Sequence, residues 1–187
     1  MTLGDGEIWD TSASTMDRLR ARIVPVRHPD ALRNVLAQDF SRDCTELPIS
    51  GGWGYSQDEA IRFERDKFPI PQAADYVGFE YHIVQKLLYE ELIIFQPKGA
   101  AFSGIDHRRK SQQLLGLDGR YYDKLVFEID CWSDYHWELL KQDWEENDYG
   151  QRPGFDLPKH TAKRDAARIS YEREFWFDVT EVFGSTI

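Results

Sequence analysis

The sequence predicts an α+β fold in which a mainly antiparallel sheet packs against several helices. Helical and strand patterns follow one another without the regular alternation that builds parallel sheets. The dipeptide Asp118-Gly119 indicates a hairpin, because it readily adopts the positive φ angles of a tight turn. The 187 residues are 41% hydrophobic, which supplies enough apolar material for a core. We expect a flexible N-terminal segment, residues 1–14, followed by a single α+β domain, residues 15–187.

The first half of the chain predicts a strand, a short helix and a glycine-rich turn. Residues 18–26 mix apolar and basic side chains and predict a strand. Residues 28–30, His-Pro-Asp, begin a helix that is expected to end near Phe40, because proline fits the first turn and aspartate favours the helix dipole. Residues 50–55 predict a turn, since glycine is costly inside helices. Residues 58–65 fit either a capped helix or an alternating strand.

The central part predicts the main packing helix and the hairpin. Apolar side chains recur at helical spacing over residues 75–88, and residues 92–95 predict a strand. The hairpin arms are expected at residues 111–117 and 121–132, where one face of the second arm should meet the core. The inward residues of that arm are Leu125, Phe127, Ile129 and Cys131.

The last third predicts two helices and a closing strand. Ser133 is placed to cap a helix that ends near Asn147. After a loop rich in glycine and proline, residues 161–171 predict a second helix. Residues 175–179 alternate apolar side chains and predict the closing strand.

The charge balance restricts the classes of partner. Asp and Glu number 33 against 23 Lys and Arg, which gives a formal net charge of −10. Long-range repulsion opposes binding to nucleic acid or to an anionic membrane, whereas a partner protein with a basic surface is attracted. The alternative interpretation is that the charge serves solubility alone. Neither interpretation predicts an oligomeric state.

Cysteine usage and hydropathy indicate a cytoplasmic protein. Cys44 and Cys131 are far apart and form no paired motif, so neither a disulfide framework nor a structural zinc site is expected. The N-terminal residues lack the basic and apolar regions of a secretory signal. The longest apolar run, residues 87–95, is interrupted by Glu90 and Glu91 and is too short to span a membrane.

The sequence contains none of the common catalytic motifs. It has no phosphate-binding loop ending in Lys-Ser or Lys-Thr, no dinucleotide-binding glycine pattern, no zinc-protease motif and no nucleophile elbow. Residues 51–54 lack the lysine of a phosphate loop and are interpreted as a structural turn. We therefore predict no cofactor and no metal, and we favour a non-catalytic role.

An enzymatic alternative stays open at Asp106 and His107. Together with the basic residues 108–110 they have the chemistry of a hydrolase-like site, with a base, an orienting carboxylate and cations. The same segment is also typical of an exposed basic loop. Neighbouring residues in an extended segment point in opposite directions, so the two side chains need a turn to meet.

A second enzymatic alternative centres on carboxylates near Asp130. Glu128, Asp130, Asp134 and His136 are residue types that bind divalent metals. Their spacing matches no established metal site. Glu128 and Asp130 alternate away from the core face of the strand, so we interpret them as solvent-facing.

The best-defined feature is the acidic, aromatic segment 130–148, which holds seven acids against the single base Lys141. If the tryptophans of this helix are buried, its acids form a negative surface that can attract a cationic partner. The alternative is a solvated helix face with no partner. The predicted partner-binding residues are Asp134, Glu138, Asp143, Glu145 and Glu146, together with Trp53 and Tyr55 as exposed aromatic residues.

Two short segments resemble parts of known proteins. The first is residues 50–55, Ser-Gly-Gly-Trp-Gly-Tyr, followed by Glu-Ala-Ile at 59–61, and the second is the tail 175–180, Phe-Trp-Phe-Asp-Val-Thr. They resemble segments of small acidic bacterial proteins, some of which are similar to immunity proteins that neutralise toxins. The resemblance implies a bacterial, non-catalytic binding protein of the immunity or inhibitor type. A structural or oligomeric subunit is a third alternative, and it predicts a large apolar surface patch.

Overall fold

A computed structural model describes residues 9–40, 46–68 and 75–184. Cys44 and the first eight residues therefore lie outside the described part of the chain. The helices are α1 (Ala13–Ala21), α2 (Leu32–Leu36), α3 (Tyr76–Tyr89), α4 (Asp134–Glu146) and α5 (Leu157–Ala166). The strands are β1 (Ile49–Gly51), β2 (Ile61–Phe63), β3 (Phe102–Leu117), β4 (Arg120–Ser133) and β5 (Ile169–Asp178).

The strands form one sheet in the order β1-β2-β5-β4-β3. Strands β1 and β2 are antiparallel, whereas β2 and β5 are parallel and place Ile61 opposite Phe177. Strands β4 and β5 run in opposite directions, since Lys124 contacts Glu174 at 2.7 Å and the Val179 N–H donates to the Tyr121 carbonyl. The sheet is thus mostly antiparallel, and the predicted α+β fold class is confirmed.

The described residues cluster into two compact units. The first unit comprises residues 9–24, 92–106 and 130–171, and the second comprises 25–40, 46–68, 75–91, 107–129 and 172–184. Strands β3, β4 and β5 contribute residues to both units. The predicted boundary between residues 14 and 15 falls inside α1, and the expectation of a single domain stays a prediction.

The core of the second unit is built around Phe63. Its ring lies 5.7 Å from Phe177, 5.6 Å from Phe79 and 6.0 Å from Phe68. Aromatic rings at such distances add attraction beyond the area that they bury. The predicted inward face of β4 is also confirmed, because Leu125, Phe127, Ile129 and Cys131 are all buried.

The hairpin is confirmed and is longer than the sequence predicts. Asp118 and Gly119 have φ angles of 50° and 76°, as the two-residue turn requires. Strand β3 begins at Phe102, so the segment 106–110, for which a basic loop was one interpretation, is strand. The composition of residues 106–110 does not predict a strand, because the strand forms only by pairing with β4. One side-chain contact between the two strands joins Arg108 Nε to Glu128 at 2.5 Å.

Neither of two predicted strands, at residues 18–26 and 92–95, is formed, and residues 22–26 have no regular secondary structure. Residues 18–21, predicted as the start of a strand, lie in α1, whose first turn is capped by Ser12 and which buries Met16. The apolar run at 92–95 largely continues α3 as a π-helical turn over Glu90–Ile94, with Leu92 buried. A short apolar run fits a buried strand and a buried helical turn equally well, and packing decides between them.

The other elements follow the predictions with shifted ends. Helix α3 begins at Tyr76 behind an Asp75 cap, and residues 61–63 take the strand alternative. Helix α2 ends at Leu36, earlier than expected. Helix α5 starts at Leu157 because Asp156 caps it. None of the helices in the described ranges is long and apolar enough to cross a membrane.

Gly104 is required where β3 passes the ring of Trp137. Its φ is +63°, and a Cβ atom there would lie 2.3 Å from Cζ3 of Trp137. We expect Gly104→Ala to destabilise the protein by about 2 kcal/mol or more, because the left-handed backbone and the ring both oppose the added methyl group. Thermal unfolding measures the loss. The control is Gly99→Ala, where φ is +76° and nothing lies within 4 Å of the new Cβ. Equal losses of stability in the two variants would show that the contact with the Trp137 ring does not contribute.

Candidate functional site

Helix α4 is fixed in place at its N-terminus. Ser133 Oγ accepts a hydrogen bond from the His136 N–H at 3.3 Å and lies 3.0 Å from His136 Nδ1. The other ring nitrogen, Nε2, donates to the Asp10 carbonyl at 3.1 Å. Asp134 accepts a hydrogen bond from the Ser103 hydroxyl at 2.7 Å and lies in the first turn, where a carboxylate favours the helix dipole.

The inner side of α4 packs on an apolar cluster of the first unit. Leu140 is buried with Trp132 and Ala167, and the Trp137 ring lies 5.4 Å from Trp132. Trp132 Nε1 donates to the Arg164 carbonyl of α5 at 2.8 Å. Of the three stripe residues, Leu140 is buried, whereas Trp137 and Trp144 are half-buried, so the condition set for the acidic surface is met only in part.

The solvent side of α4 carries its carboxylates. A helix turns by about 100° per residue, which places every acid of α4 at least about 90° from the middle of the Trp137–Leu140–Trp144 stripe. Glu138, Glu145 and Glu146 are exposed, whereas Asp134 and Asp143 are half-buried. We call this set the acidic surface; its members are Asp134, Glu138, Asp143, Glu145 and Glu146.

The acidic surface is weakly neutralised within α4. Lys141 is the only lysine or arginine of the helix and lies 3.7 Å from Glu138. Both side chains are more than half exposed, so this pair contributes little energy and leaves the field of the carboxylates largely intact. Five acids and one lysine give the 13-residue helix a charge of −4. Within α4 itself, negative charge therefore predominates.

A shallow cavity of about 260 Å³ lies beside the acidic surface. Its lining is mostly apolar, and it is formed by Trp137, Leu140, Lys141, Trp144, His160 and Arg164. We call it the aromatic groove. The Trp144 ring lies 5.3 Å from His160, which also lines the groove, and 5.7 Å from Phe155, which packs edge-on against it.

His160 connects the aromatic groove to the acidic surface. Its Nδ1 atom lies 2.7 Å from Asp143 Oδ2, and its side chain is only 11% exposed. This contact holds the imidazole against Trp144 and fixes the Asp143 carboxylate at the edge of the groove. Asp143 is thus a structural partner of the groove as well as a member of the acidic surface.

Trp53 and Tyr55, the predicted exposed aromatic residues, belong to the second unit. Both are half-buried, and the Tyr55 hydroxyl is fully buried. The Tyr55 ring packs near Phe175, and the Arg173 guanidinium lies 5.7 Å from its centroid. Burial, with the nearby Glu91 carboxylate, raises the pKa of Tyr55 far above its ordinary value. Its polar end is therefore turned inward.

Asp106 and His107 lie on opposite faces of strand β3, because they are consecutive residues of that strand. Asp106 is exposed, while the half-buried His107 ring lies 5.8 Å from Phe127. The geometry supplies no turn that would bring a base to an orienting carboxylate.

The carboxylates near Asp130 each have a separate partner. Glu128 accepts from Arg108, and Asp130 accepts from the Ser170 hydroxyl. Asp134 is held by Ser103, as described above. Within residues 9–40, 46–68 and 75–184, no three His, Cys, Asp or Glu side chains group in a way that could hold a metal ion.

The sequence interpretation missed a pair of buried acids in the second unit. Glu80 of α3 is 1% exposed and Asp123 of β4 is 8% exposed. Burial, and then the charge and hydrogen bond of Asp123, raise the pKa of Glu80 to about 9. Burial also raises the pKa of Asp123, against hydrogen bonds from Gln112 and Glu80 that lower it. At neutral pH we therefore expect Glu80 to keep its proton and Asp123 to accept it in a hydrogen bond, so that the two carboxyl groups share one proton.

A polar network surrounds the shared proton. Gln112 Nε2 donates to Asp123 Oδ2 at 2.5 Å, and Gln112 Oε1 accepts from Arg109 at 2.6 Å and from the Tyr81 hydroxyl at 3.1 Å. The sequence pattern did indicate that these two acids are buried. Glu80 falls on the apolar stripe of α3, and Asp123 shares the face of β4 that carries Leu125.

Comparison with protein-family models, with curated proteins and with solved structures gave no match. Function is therefore argued from the geometry of the chain itself.

Proposed function

We propose that this protein is a non-catalytic binding protein of the immunity or inhibitor type, which uses α4 to occupy a basic surface of another protein. The observation that carries the proposal is the run of exposed carboxylates on α4, placed next to an aromatic groove. The resemblance of residues 50–55 and 175–180 to small acidic proteins, some of them immunity-like, supports the same class.

The charge of α4 suits a partner with clustered lysine and arginine. Exposed carboxylates attract such a partner over a distance of roughly 8 Å at physiological salt. Complementary charge mainly raises the association rate and excludes partners of the wrong sign. The formal net charge of −10 acts in the same direction. Binding through the acidic surface is therefore expected to weaken steeply as salt is added.

The aromatic groove supplies the affinity that exposed charges do not. Interface energy is concentrated in a few buried anchors, and tryptophan is over-represented among them. Lys141 and Arg164 line the groove beside the apolar wall. They disfavour a lysine or arginine inside it, so the inserted side chain is apolar or aromatic. The partner is thus a basic surface that also presents one apolar anchor.

Charge reversal of the acidic surface tests the proposal. The triple variant Glu138→Lys, Glu145→Lys, Glu146→Lys leaves Asp143 to hold His160. A partner captured from the native host by the wild-type chain is purified, and its affinity for each variant is measured by titration calorimetry at low and high salt. We expect the triple variant to lose at least about a hundredfold in affinity at low salt, because attraction becomes repulsion at three positions.

The matched control is the triple variant Asp17→Lys, Asp30→Lys, Asp66→Lys. These aspartates are exposed and lie outside α4, so the total charge changes equally. We expect it to bind almost as well as the wild-type chain. Equal losses in both triple variants would point to net charge rather than to α4. Unchanged affinity in the α4 variant, with its circular dichroism spectrum intact, would refute the proposal.

A further inference from the structure

A polar cavity of about 380 Å³ lies within the second unit, away from the residues of α4. Arg62 of β2 and Arg120 of β4 line it, together with Asp178 at the end of β5. The strands that carry these residues are neighbours in the sheet, because β5 lies between β2 and β4. Two guanidinium groups are therefore brought to one place from separate parts of the sequence.

Asp178 fixes the two arginines. Its Oδ2 atom lies 3.4 Å from Arg62 Nε and also contacts Arg120 Nη2, and its side chain is 4% exposed. Its Oδ1 atom accepts from the Thr180 hydroxyl at 2.6 Å and from the Thr180 N–H at 3.2 Å. Burial alone would raise the pKa of Asp178, but the hydrogen bonds from Thr180 and Arg120 outweigh it and hold the pKa below its ordinary value.

Arg62 and Arg120 have N–H donors that their contacts with Asp178 do not use. Each guanidinium carries five N–H donors, and the Asp178 contacts use Nε of Arg62 and Nη2 of Arg120. The Arg120 Nε atom is buried and has no hydrogen-bond partner among the described residues. One carboxylate balances one guanidinium, so Arg62, Arg120 and Asp178 together carry one positive charge, and Asp58, which also lines the cavity, brings the formal charge of the lining to zero. Both arginine side chains are more than a third exposed and reach the cavity.

Two glycines form part of the wall of this cavity. Gly51 and Gly52 line it without side chains, and a Cβ atom on Gly51 would lie 2.3 Å from the Ala60 carbonyl oxygen. The φ of Gly51 is +87°, which favours glycine. Glycine is therefore required at position 51 by the backbone, and the wall of the cavity has no side chain there.

We propose that this cavity is a binding site for a small oxyanion, a phosphate or carboxylate group, held by Arg62 and Arg120. Planar guanidinium groups match both kinds of oxyanion with paired hydrogen bonds. Asp58 also lines the cavity and is exposed, so a ligand with a single anionic group is favoured over a polyanion. The net charge of −10 disfavours polyanions in the same way. This site is independent of the proposed protein-binding role of α4.

Titration calorimetry of the full chain with inorganic phosphate or with acetate tests the site, with ionic strength held constant by chloride. We expect saturable binding of at least one anion, and Arg62→Gln should weaken it at least about tenfold, as the loss of a charge-assisted hydrogen bond predicts. Binding of phosphate alone would identify a phosphate site, and binding of acetate alone a carboxylate site. Arg62→Lys, which keeps the charge but loses the planar fork, should bind with intermediate affinity.

The matched control is Arg20→Gln, an exposed arginine of α1 that lies outside the cavity, and it should bind as the wild-type chain does. Saturable binding of neither anion would overturn the proposal. Equal affinity in wild type and Arg62→Gln would overturn it as well. If Arg62→Gln fails to fold, the anion affinities of the wild type and of Arg62→Lys are compared instead. Equal affinities of these two proteins would show that the guanidinium group of Arg62 does not bind the anion. Charge reversal of α4 should leave anion binding unchanged, so the two proposals fail separately.

Discussion

We expect the wild-type chain to lose stability as the pH rises toward 9, and we expect replacement of Glu80 by glutamine to remove that loss. The pKa of Glu80 is raised from its ordinary value of 4.5 to about 9, chiefly by burial and next by Asp123. The folded chain therefore binds a proton that the unfolded chain releases between these two values. A group of this kind gives its full stabilisation below pH 4.5, and the stabilisation falls as the pH rises, by about 1.4 kcal/mol per pH unit for one proton.

The charged and polar groups around Glu80 set the sign of this effect. Asp123 and Asp75 oppose a second negative charge at Glu80, and Gln112 and Arg109 act on the Asp123 side of the pair. The amide of glutamine cannot ionise, and its N–H can donate to the Asp123 carboxylate as the shared proton does. Glu80→Gln is therefore expected to be the more stable protein near pH 9.

Urea unfolding of wild type and Glu80→Gln at several pH values between 5 and about 9 measures how the free energy of unfolding changes with pH. The control is Glu138→Gln, an exposed glutamate of α4, which should keep the wild-type slope. If Glu80→Gln unfolds with the same pH dependence as the wild type, the two carboxyl groups do not share a proton and the assignment is wrong.

Removal of Arg173 is expected to destabilise the second unit by about 3–5 kcal/mol, because it takes away a cation that is paired with the buried carboxylate of Glu91. Arg173 Nη2 lies 2.6 Å from Glu91 Oε1, and the two side chains are 16% and 1% exposed. The Tyr55 ring lies against the same guanidinium and loses that contact as well. Arg173→Met therefore tests both the ion pair and the inward placement of Tyr55.

The double variant Arg173→Met, Glu91→Met separates the charge from the packing. Replacing both members of a buried pair by apolar side chains of similar volume is often neutral, so we expect most of the stability to return. Lys110→Met is the control for a surface pair, since Lys110 and Glu172 are both about half exposed, and it should cost less than about 1 kcal/mol. A double variant as unstable as Arg173→Met alone would show that packing, rather than an unpaired charge, causes the loss.

The sequence predicts those features that depend on local patterns. The apolar stripe of α3, the Asp118-Gly119 turn and the Ser133 cap of α4 are each set by residues close together in the chain, and each is observed. The solvent-facing acids of α4 follow from the same helical spacing. Local patterns also contained the buried acids, since Glu80 and Asp123 lie on apolar faces, but a charged residue on such a face was not interpreted as buried.

The features that were missed depend on contacts distant in sequence. Arg62, Arg120 and Asp178 come together only because β5 inserts between β2 and β4, and no local spacing encodes that order. The strand character of residues 102–110 likewise depends on pairing with β4. The apolar run after α3 continues as helix because Leu92 reaches the core there. In each case tertiary packing outweighs local propensity.

The outer position of β3 has a consequence for association between chains. Within the described sheet this 16-residue strand pairs with β4 alone, so one row of its backbone N–H and C=O groups faces outward. Such a row can accept a strand from another molecule and start aggregation. Three consecutive cations, Arg108, Arg109 and Lys110, lie in the middle of that strand, and a second copy aligned there would bring like charges together. Arg108 and Lys110 are partly balanced by Glu128 and Glu172, so Arg109 contributes most to this repulsion, and neutralising the three cations would remove it.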